Sequence, residues 1–359
     1  TNERSMSSSS TIPLKKKKKA LPLKEPTRSY LKSTAKERWT GFAAASVFSV
    51  AYYLAPTWLA LTLMASVVSR SFAMVLTLPI VVSMAIPARW IQELGKKMLT
   101  TSFFLQIPKY FAFEEYHEFA DEDFGKRAVE GKQPVIFCCH PHGVFPFVAT
   151  CALMSAAGAE SDTGVSTYEY KDRITEDMPT AVATVLRFVP LLKDIVGLFH
   201  IIDASGPVLG DRLTRGSFAL YVGGMTELFF SSRTREVVFL KKRKGFIKLA
   251  LKAGADVVPV YLFGNTTCLS AWTAGPLAFL SRKLGVSLTL FWGRWGLPLP
   301  RPTKCVYARG LPLGLPHIPN PTQKDIDTWH AAYCDSLQAL FDNYKQFNPD
   351  YADKMLLIE

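Results

Sequence analysis

From Gly41 to Ser69 the chain runs for 29 residues without a charge. After Arg70 it runs for another 18, Ser71 to Ala88. The first stretch carries Val47, Phe48, Tyr52, Leu54, Trp58, Leu59, Leu61 and Leu63, and the second Phe72, Val75, Leu76, Ile80, Val81 and Ile86. A bilayer core needs about 20 apolar residues in a helix, so either stretch is long enough to enter one. A core helix of a soluble protein rarely lacks every charge over such a length. A secretory signal fits poorly, because the charged region before it and the apolar run are both too long. The expectation is a membrane hairpin over residues 39–98 with its exit segment. It turns near Pro56 or at Ser69-Arg70-Ser71. Positive charge flanks both ends, with a basic tail before and Arg89, Lys96 and Lys97 after. Both flanks then face the cytosol, through an even number of crossings or a re-entrant loop.

The net charge of +12 belongs to that tail. Residues 1–38 hold eleven Lys or Arg against three Glu, a net of +8, leaving +4 for the other 321 residues. The tail is rich in Ser, Lys and Pro and is expected to be disordered. Its five lysines, Lys15 to Lys19, suit anionic headgroups as well as plain solvation. No zinc-finger, basic-zipper or RNA-binding signature accompanies it, so nucleic acid is not an expected partner. The six cysteines form no C-x-x-C pair, as expected for free thiols in a reducing compartment.

Residues 99–359 read as one α/β unit. Short apolar runs predict strands at Pro134–Cys139, Glu236–Leu240, Ala255–Phe263 and Val286–Trp292. A helix with Phe246, Leu249, Ala250 and Ala253 on one face joins the second to the third, and Gly254 caps it. That order suggests a parallel crossover unit. Ile326, Trp329, Tyr333, Leu337, Leu340, Phe341 and Tyr344 mark a long final helix, started by Thr322 and Asp325. Its stripe reads as core.

Walker, Rossmann, zinc-protease and Gly-x-Ser-x-Gly signatures are all absent. What stands out is His140-Pro141-His142-Gly143 at the end of a strand. Histidine accepts protons near neutral pH. Proline and glycine shape the turn and allow close approach. A packed histidine pair, a Cys/His metal site or a cysteine nucleophile are the competing readings. A second block runs from Gly223-Gly224 through Glu227 to Arg243-Lys244-Gly245-Phe246 and Lys248. Glu227 could orient a histidine. The cations precede a helix N-terminus, which suits phosphate.

In this order the blocks resemble the type-2 diacylglycerol acyltransferases, with their monoacylglycerol and wax-ester relatives. They continue through Gly293-Arg294 and Pro321 to Asp327. The resemblance covers roughly residues 100–359. It implies a glycerolipid-acyltransferase-like mixed sheet flanked by helices, preceded by the N-terminal membrane-embedded helical hairpin. It implies an enzyme of the endoplasmic reticulum membrane, also reaching lipid droplets, whose catalytic domain faces the cytosol. Acyl-CoA and diacylglycerol are its substrates, giving triacylglycerol. It needs no cofactor or metal, and a homo-oligomer stays open. Monoacylglycerol, a long-chain alcohol, or a non-catalytic lipid-binding role are the alternatives. His140 is expected as the base, His142 as second choice, and Glu227 as the orienting carboxylate. Pro141, Gly143, Phe145, Gly223, Gly224, Arg243, Lys244, Gly245, Phe246, Lys248, Asn265 and Arg294 are the expected substrate-binding residues. Asn265 stands where the family usually has glutamate, and Ile201 to Ser205 also depart from its pattern.

Overall fold

The computed structural model describes residues 25–119, 133–163, 178–224, 227, 235–273, 275 and 290–359. The elements run β1 (Arg28–Ser29), α1 (Ala35–Val68), α2 (Arg70–Ala85), α3 (Ala88–Leu99), α4 (Ile107–Tyr110), β2 (Glu114–His117), β3 (Val135–His140), α5 (Phe147–Ala156) and β4 (Thr180–Val182). There follow α6 (Leu192–Gly197), β5 (Ile201–Asp203), α7 (Gly206–Leu213), β6 (Phe218–Leu220), β7 (Arg235–Val238), α8 (Gly245–Ala253) and β8 (Asp256–Phe263). The chain closes with β9 (Ser270–Ala271), β10 (Phe291–Trp292), β11 (Val306–Arg309), α9 (Gln323–Tyr344) and β12 (Met355–Ile358).

An eight-stranded mixed sheet in the order β1-β2-β11-β8-β3-β6-β4-β5 forms the centre. Its middle strands β3 and β8 are buried along their whole length, as expected of apolar runs covered on both faces. One face packs under α1, α4 and α5, with Phe48, Phe111, Phe137, Cys139, Phe145 and Phe147 in its core. The other packs under α7, α8 and α9, with Ile136, Cys138, Phe246, Tyr261, Tyr333 and Phe341. The α/β sheet flanked by helices is the expected class. The crossover unit is not the expected one. β8 pairs in parallel with β3, whereas β7 leaves the main sheet and pairs with β12 near the carboxyl end. Local periodicity marked the strands but carried nothing about which strand lies beside which. Of the run expected over Val286–Trp292, the structure holds Phe291–Trp292 as β10, and residues 286–289 lie outside the described residues. The helix α8 ends on Gly254 at φ +65°, as a left-handed cap should.

The tail expected over residues 1–38 gives way at its C-terminal end. Residues 1–24 lie outside the described residues. Arg28 and Ser29 already pair with β2, and the Arg28 guanidinium meets the buried Glu115 carboxylate at 2.8 Å. Helix α1 begins at Ala35 behind a capping box in which Thr34 and Glu37 satisfy each other's backbone N–H. The hairpin itself is helical. α1 breaks at Ser69, whose backbone is extended, and α2 follows. The Trp58 indole N–H donates to the Leu76 carbonyl at 2.9 Å, tying the two together. α2 and α3 meet at a bend of 91°.

Only the distal half of the hairpin is free. Ala44, Ala45, Phe48, Tyr52 and Ala55 of α1 belong to the core of the α/β unit. A Cβ on Gly41 would fall 2.3 Å from the Gln106 carbonyl oxygen, so α1 can lie this close only with glycine there. Further along, Leu63, Met64, Val67, Val68, Met74 and Val75 are exposed, as a segment that meets lipid requires. The 39–98 segment therefore packs into the α/β unit at its base and leaves an apolar surface exposed at its tip.

Candidate active site

The pleat of β3 sends alternate side chains to opposite faces. Phe137 and Cys139 face the α1 side, while Ile136 and Cys138 face the α9 side. His140 falls in step with the second set. It is fully buried, and both ring nitrogens are engaged. Its Nδ1 lies 2.9 Å from Glu227 Oε1, and its Nε2 lies 3.0 Å from the Tyr333 hydroxyl of α9. An ionised carboxylate only accepts, so the His140 proton sits on Nδ1. The Tyr333 hydroxyl is also 3.4 Å from the Cys138 carbonyl.

Glu227 is buried and holds the turn that follows β3. Its Oε2 accepts the backbone N–H of His142 at 2.9 Å. A Cβ on Gly223 would fall 2.0 Å from Glu227 Oε1, so the carboxylate occupies the space a side chain would take. Asn265 holds the same turn from the other side. Its amide donates to the carbonyls of Pro141 (2.9 Å) and His142 (2.7 Å), and its oxygen accepts the Val148 N–H at 3.3 Å. Gly143 passes between them at φ +64°, where a Cβ would meet the Asn265 carbonyl oxygen at 2.6 Å.

His142 is the histidine that reaches open space. Its Nδ1 is 2.7 Å from the Gly143 carbonyl. A carbonyl accepts only, so Nδ1 carries a proton, and in the neutral ring Nε2 is then the nitrogen with the lone pair. The ring lies 4.9 Å from that of Tyr221. A cavity of about 920 Å³ opens here, lined by Cys139, His142, Phe145, Tyr221, Gly223, Gly224 and Arg243 near the turn. Along its length it is walled by α5 (Ala149, Leu153), by α6 and the strand after it (Val196, Phe199, Ile201), and by Tyr52 of α1 and Leu99 of α3. Neither His140 nor Glu227 lines it.

The structure thus brings His140, His142, Glu227, Pro141, Gly143, Gly223, Gly224 and Asn265 into one turn, with Phe145 and Arg243 beside it. It does not bring in the rest. Phe246 is core, its ring 4.9 Å from Tyr333. Lys244 pairs with Asp327 at 2.7 Å. Gly245 starts α8, and Lys248 is exposed on it. Arg294 sits apart, its guanidinium 4.3 Å from the Trp295 ring. Neighbourhood in sequence had grouped these residues, and the fold separates them. Tyr333 is the residue the sequence missed, hidden in a stripe that reads as core. Tyr221 had no motif at all. Pleat counting from Cys139 is the signal that would have turned His140 away from the cavity.

Cysteine chemistry is disfavoured. Burial, with the Glu227 carboxylate adding to it, pushes the Cys139 thiol up to about 12, and burial holds Cys138 well above its ordinary value. Among the described residues no three His, Cys, Asp or Glu side chains converge on a metal-sized site.

A sequence profile of the family described as "Diacylglycerol acyltransferase" matches residues 86–358. Diacylglycerol O-acyltransferase 2 of Danio rerio is 33% identical over 244 residues, 62% of this chain and 64% of that protein. The protein of that name from Dictyostelium discoideum is 33% identical over 236 residues, 60% of this chain and 67% of its own. Acyl-CoA wax alcohol acyltransferase 2 of Mus musculus is 33% identical over 230 residues, 58% and 65% of the two chains. The matches therefore span about two thirds of these relatives' length. Among solved structures, a 1-acyl-sn-glycerophosphate acyltransferase from Thermotoga maritima aligns at a TM-score of 0.37 with 11% identity, over 82% of this chain and 94% of that one.

Proposed function

Since the chain belongs to the diacylglycerol acyltransferase family, we propose that it moves a fatty acyl group from acyl-CoA to the hydroxyl of diacylglycerol, giving triacylglycerol and free CoA. The observation that carries this is the His142 ring at the wall of a large, mainly apolar cavity, with its Nδ1 held by the Gly143 carbonyl. A thioester is already activated, so the reaction asks for a better nucleophile. In this reading His142 Nε2 takes the proton of the acceptor hydroxyl as its oxygen bonds to the thioester carbonyl carbon. The tetrahedral oxyanion then collapses, the C–S bond breaks, and the CoA sulfur leaves with the proton that His142 returns. General-base help of this kind is worth roughly 10²- to 10⁴-fold.

The sequence put His140 first for this role. Its complete burial and its two occupied nitrogens favour a positioning role instead. His140 fixes Glu227, Glu227 holds the His142 N–H, and Asn265 holds the His142 carbonyl. The ring is thereby presented to the cavity without reorganisation during the reaction. Arg243 is the cation of the basic cluster that lines the cavity, and it would meet the CoA phosphates. The walls from α1 and α3 give a lipid acceptor a path from the bilayer, which suits an enzyme seated in the endoplasmic reticulum membrane with its catalytic unit on the cytosolic side.

The test is acyl transfer by the full chain in nanodiscs, with labelled oleoyl-CoA and diacylglycerol, monoacylglycerol or a C16 alcohol. Labelled triacylglycerol supports the proposal. Product on another acceptor alone changes the substrate, and no product from folded protein overturns the reaction.

A further inference from the structure

Arg294 stands outside the cavity, among aromatic rings at the foot of α1. Its guanidinium lies 5.1 Å from the Trp39 ring, 5.1 Å from Phe42 and 4.3 Å from Trp295. Trp39 is 55% exposed and Trp295 is 64% exposed. Trp295 also has φ +58°, a left-handed conformation that a bulky side chain adopts at a cost. An indole this exposed recovers little of that cost by burial within the chain. Strain of this kind marks places shaped for something other than stability.

The same surface continues along α1. The backbone N–H of Trp272 donates to the Leu290 carbonyl at 2.8 Å, β9 pairs with β10, and Phe291 packs on Tyr53 with ring centres 5.1 Å apart. Trp272, Leu290, Trp292 and Leu297 are all exposed there. The patch therefore follows α1 from Trp39 to Tyr53, about 21 Å of helix. On α1 the exposed Val47, Leu54, Leu61 and Val68 recur every seven residues and carry the apolar surface beyond the end of the domain. The charge-free run of the sequence begins at Trp39 itself, and the exposed Lys36 and Arg38 lie in the turn just before it.

We propose that this aromatic face of the catalytic unit lies on the bilayer that takes up α1, with its indoles at headgroup level and Arg294 toward lipid phosphate. Indoles combine an apolar body with one N–H donor and collect at that depth. Guanidinium groups match phosphate geometry. An apolar patch this continuous is unusual on a surface that meets only water. Its continuity with the uncharged surface of α1 names the occupant. The inference rests on the reading of the chain as a membrane enzyme, but its test does not read catalysis.

The full chain is placed in nanodiscs whose phosphatidylcholine is brominated high on the acyl chains, and Trp emission is compared with a W272F/W292F/W295F variant. Bromolipid is expected to quench a component of the wild-type emission that is lost in the variant, and aqueous iodide to leave that component intact. Quenching by iodide and not by bromolipid overturns the proposal. Shielding from both also overturns it and points to a second copy of the chain. The wild type alone supplies a second measurement, with lipids carrying a diazirine near the headgroup. Adducts within residues 290–297 are expected, and adducts confined to α1 and α2 overturn the proposal. Triacylglycerol synthesis with unquenched indoles would refute the docking and leave the reaction standing, and the reverse result would do the opposite.

Discussion

Gly223 and Gly224 are adjacent but constrained for different reasons, which makes a sharp test of the turn. A Cβ on Gly223 would come within 2.0 Å of Glu227 Oε1 and 2.2 Å of its Cδ. The carboxylate cannot move aside cheaply, because it accepts from His140 Nδ1 and the His142 N–H, each at 2.9 Å. Hydrogen bonds to a charged group are worth about 1.5–3 kcal/mol each, so displacing both costs about 3–6 kcal/mol. At 1.36 kcal/mol per tenfold, full loss from the transition state lowers the rate by roughly 10²- to 10⁴-fold. Gly224 has φ +58° and no atom within 4 Å of its missing Cβ. Gly224→Ala therefore costs only the left-handed backbone penalty, about 1–2 kcal/mol of stability. The assay is release of free CoA from oleoyl-CoA with diacylglycerol in nanodiscs, beside a thermal midpoint for each variant. Gly223→Ala should lose at least about 100-fold in kcat/KM, while Gly224→Ala keeps most activity at a lowered midpoint. Wild-type activity in Gly223→Ala, or equal loss in both variants, would refute the placement of Glu227.

Cys139→Ser should retain acyl transfer, and iodoacetamide at pH 7.5 should leave wild-type Cys139 unmodified by mass spectrometry, because its thiol is pushed up to about 12. Arg243→Ala should raise the KM for acyl-CoA with less effect on kcat. Lys244→Ala, which removes only an exposed pair with Asp327, should change the thermal midpoint little. The Thr322 hydroxyl and backbone N–H hold the Asp325 carboxyl below its ordinary value. Its stabilising contribution is therefore present above about pH 4 and lost as pH falls through the folded value. Thermal midpoints recorded from pH 6 to pH 3 should show a smaller acid loss in Asp325→Asn than in the wild type.

What was legible in the sequence was what is local. The uncharged stretches, the buried strand before His140, the Gly254 cap and the Thr322 start of α9 each rest on a few neighbouring residues. The glycines of the site were legible as freedom, though only the fold shows that Gly223 makes room for a carboxylate and Gly143 for a backbone carbonyl. What was not legible is long-range. Tyr333 meets His140 across 193 residues, and its place in an apolar helical stripe concealed the hydroxyl. The strands β1 and β12 are too short to carry a period, and the partner of β7 depends on where the chain returns. Arg294 was grouped with the site by its motif, and β10 carries it to α1 instead. The order of the two histidines was within reach, because alternation along β3 already separates Cys139 from His140.

The central claim is that His142 takes the acceptor's proton at the cavity wall. The direct measurement is labelled triacylglycerol formation from oleoyl-CoA and diacylglycerol by wild type and His142→Ala in nanodiscs, with circular dichroism to confirm equal folding. Here His142→Ala should keep its fold and lose roughly 10²- to 10⁴-fold in kcat. A folded His142→Ala that makes triacylglycerol at the wild-type rate would contradict it.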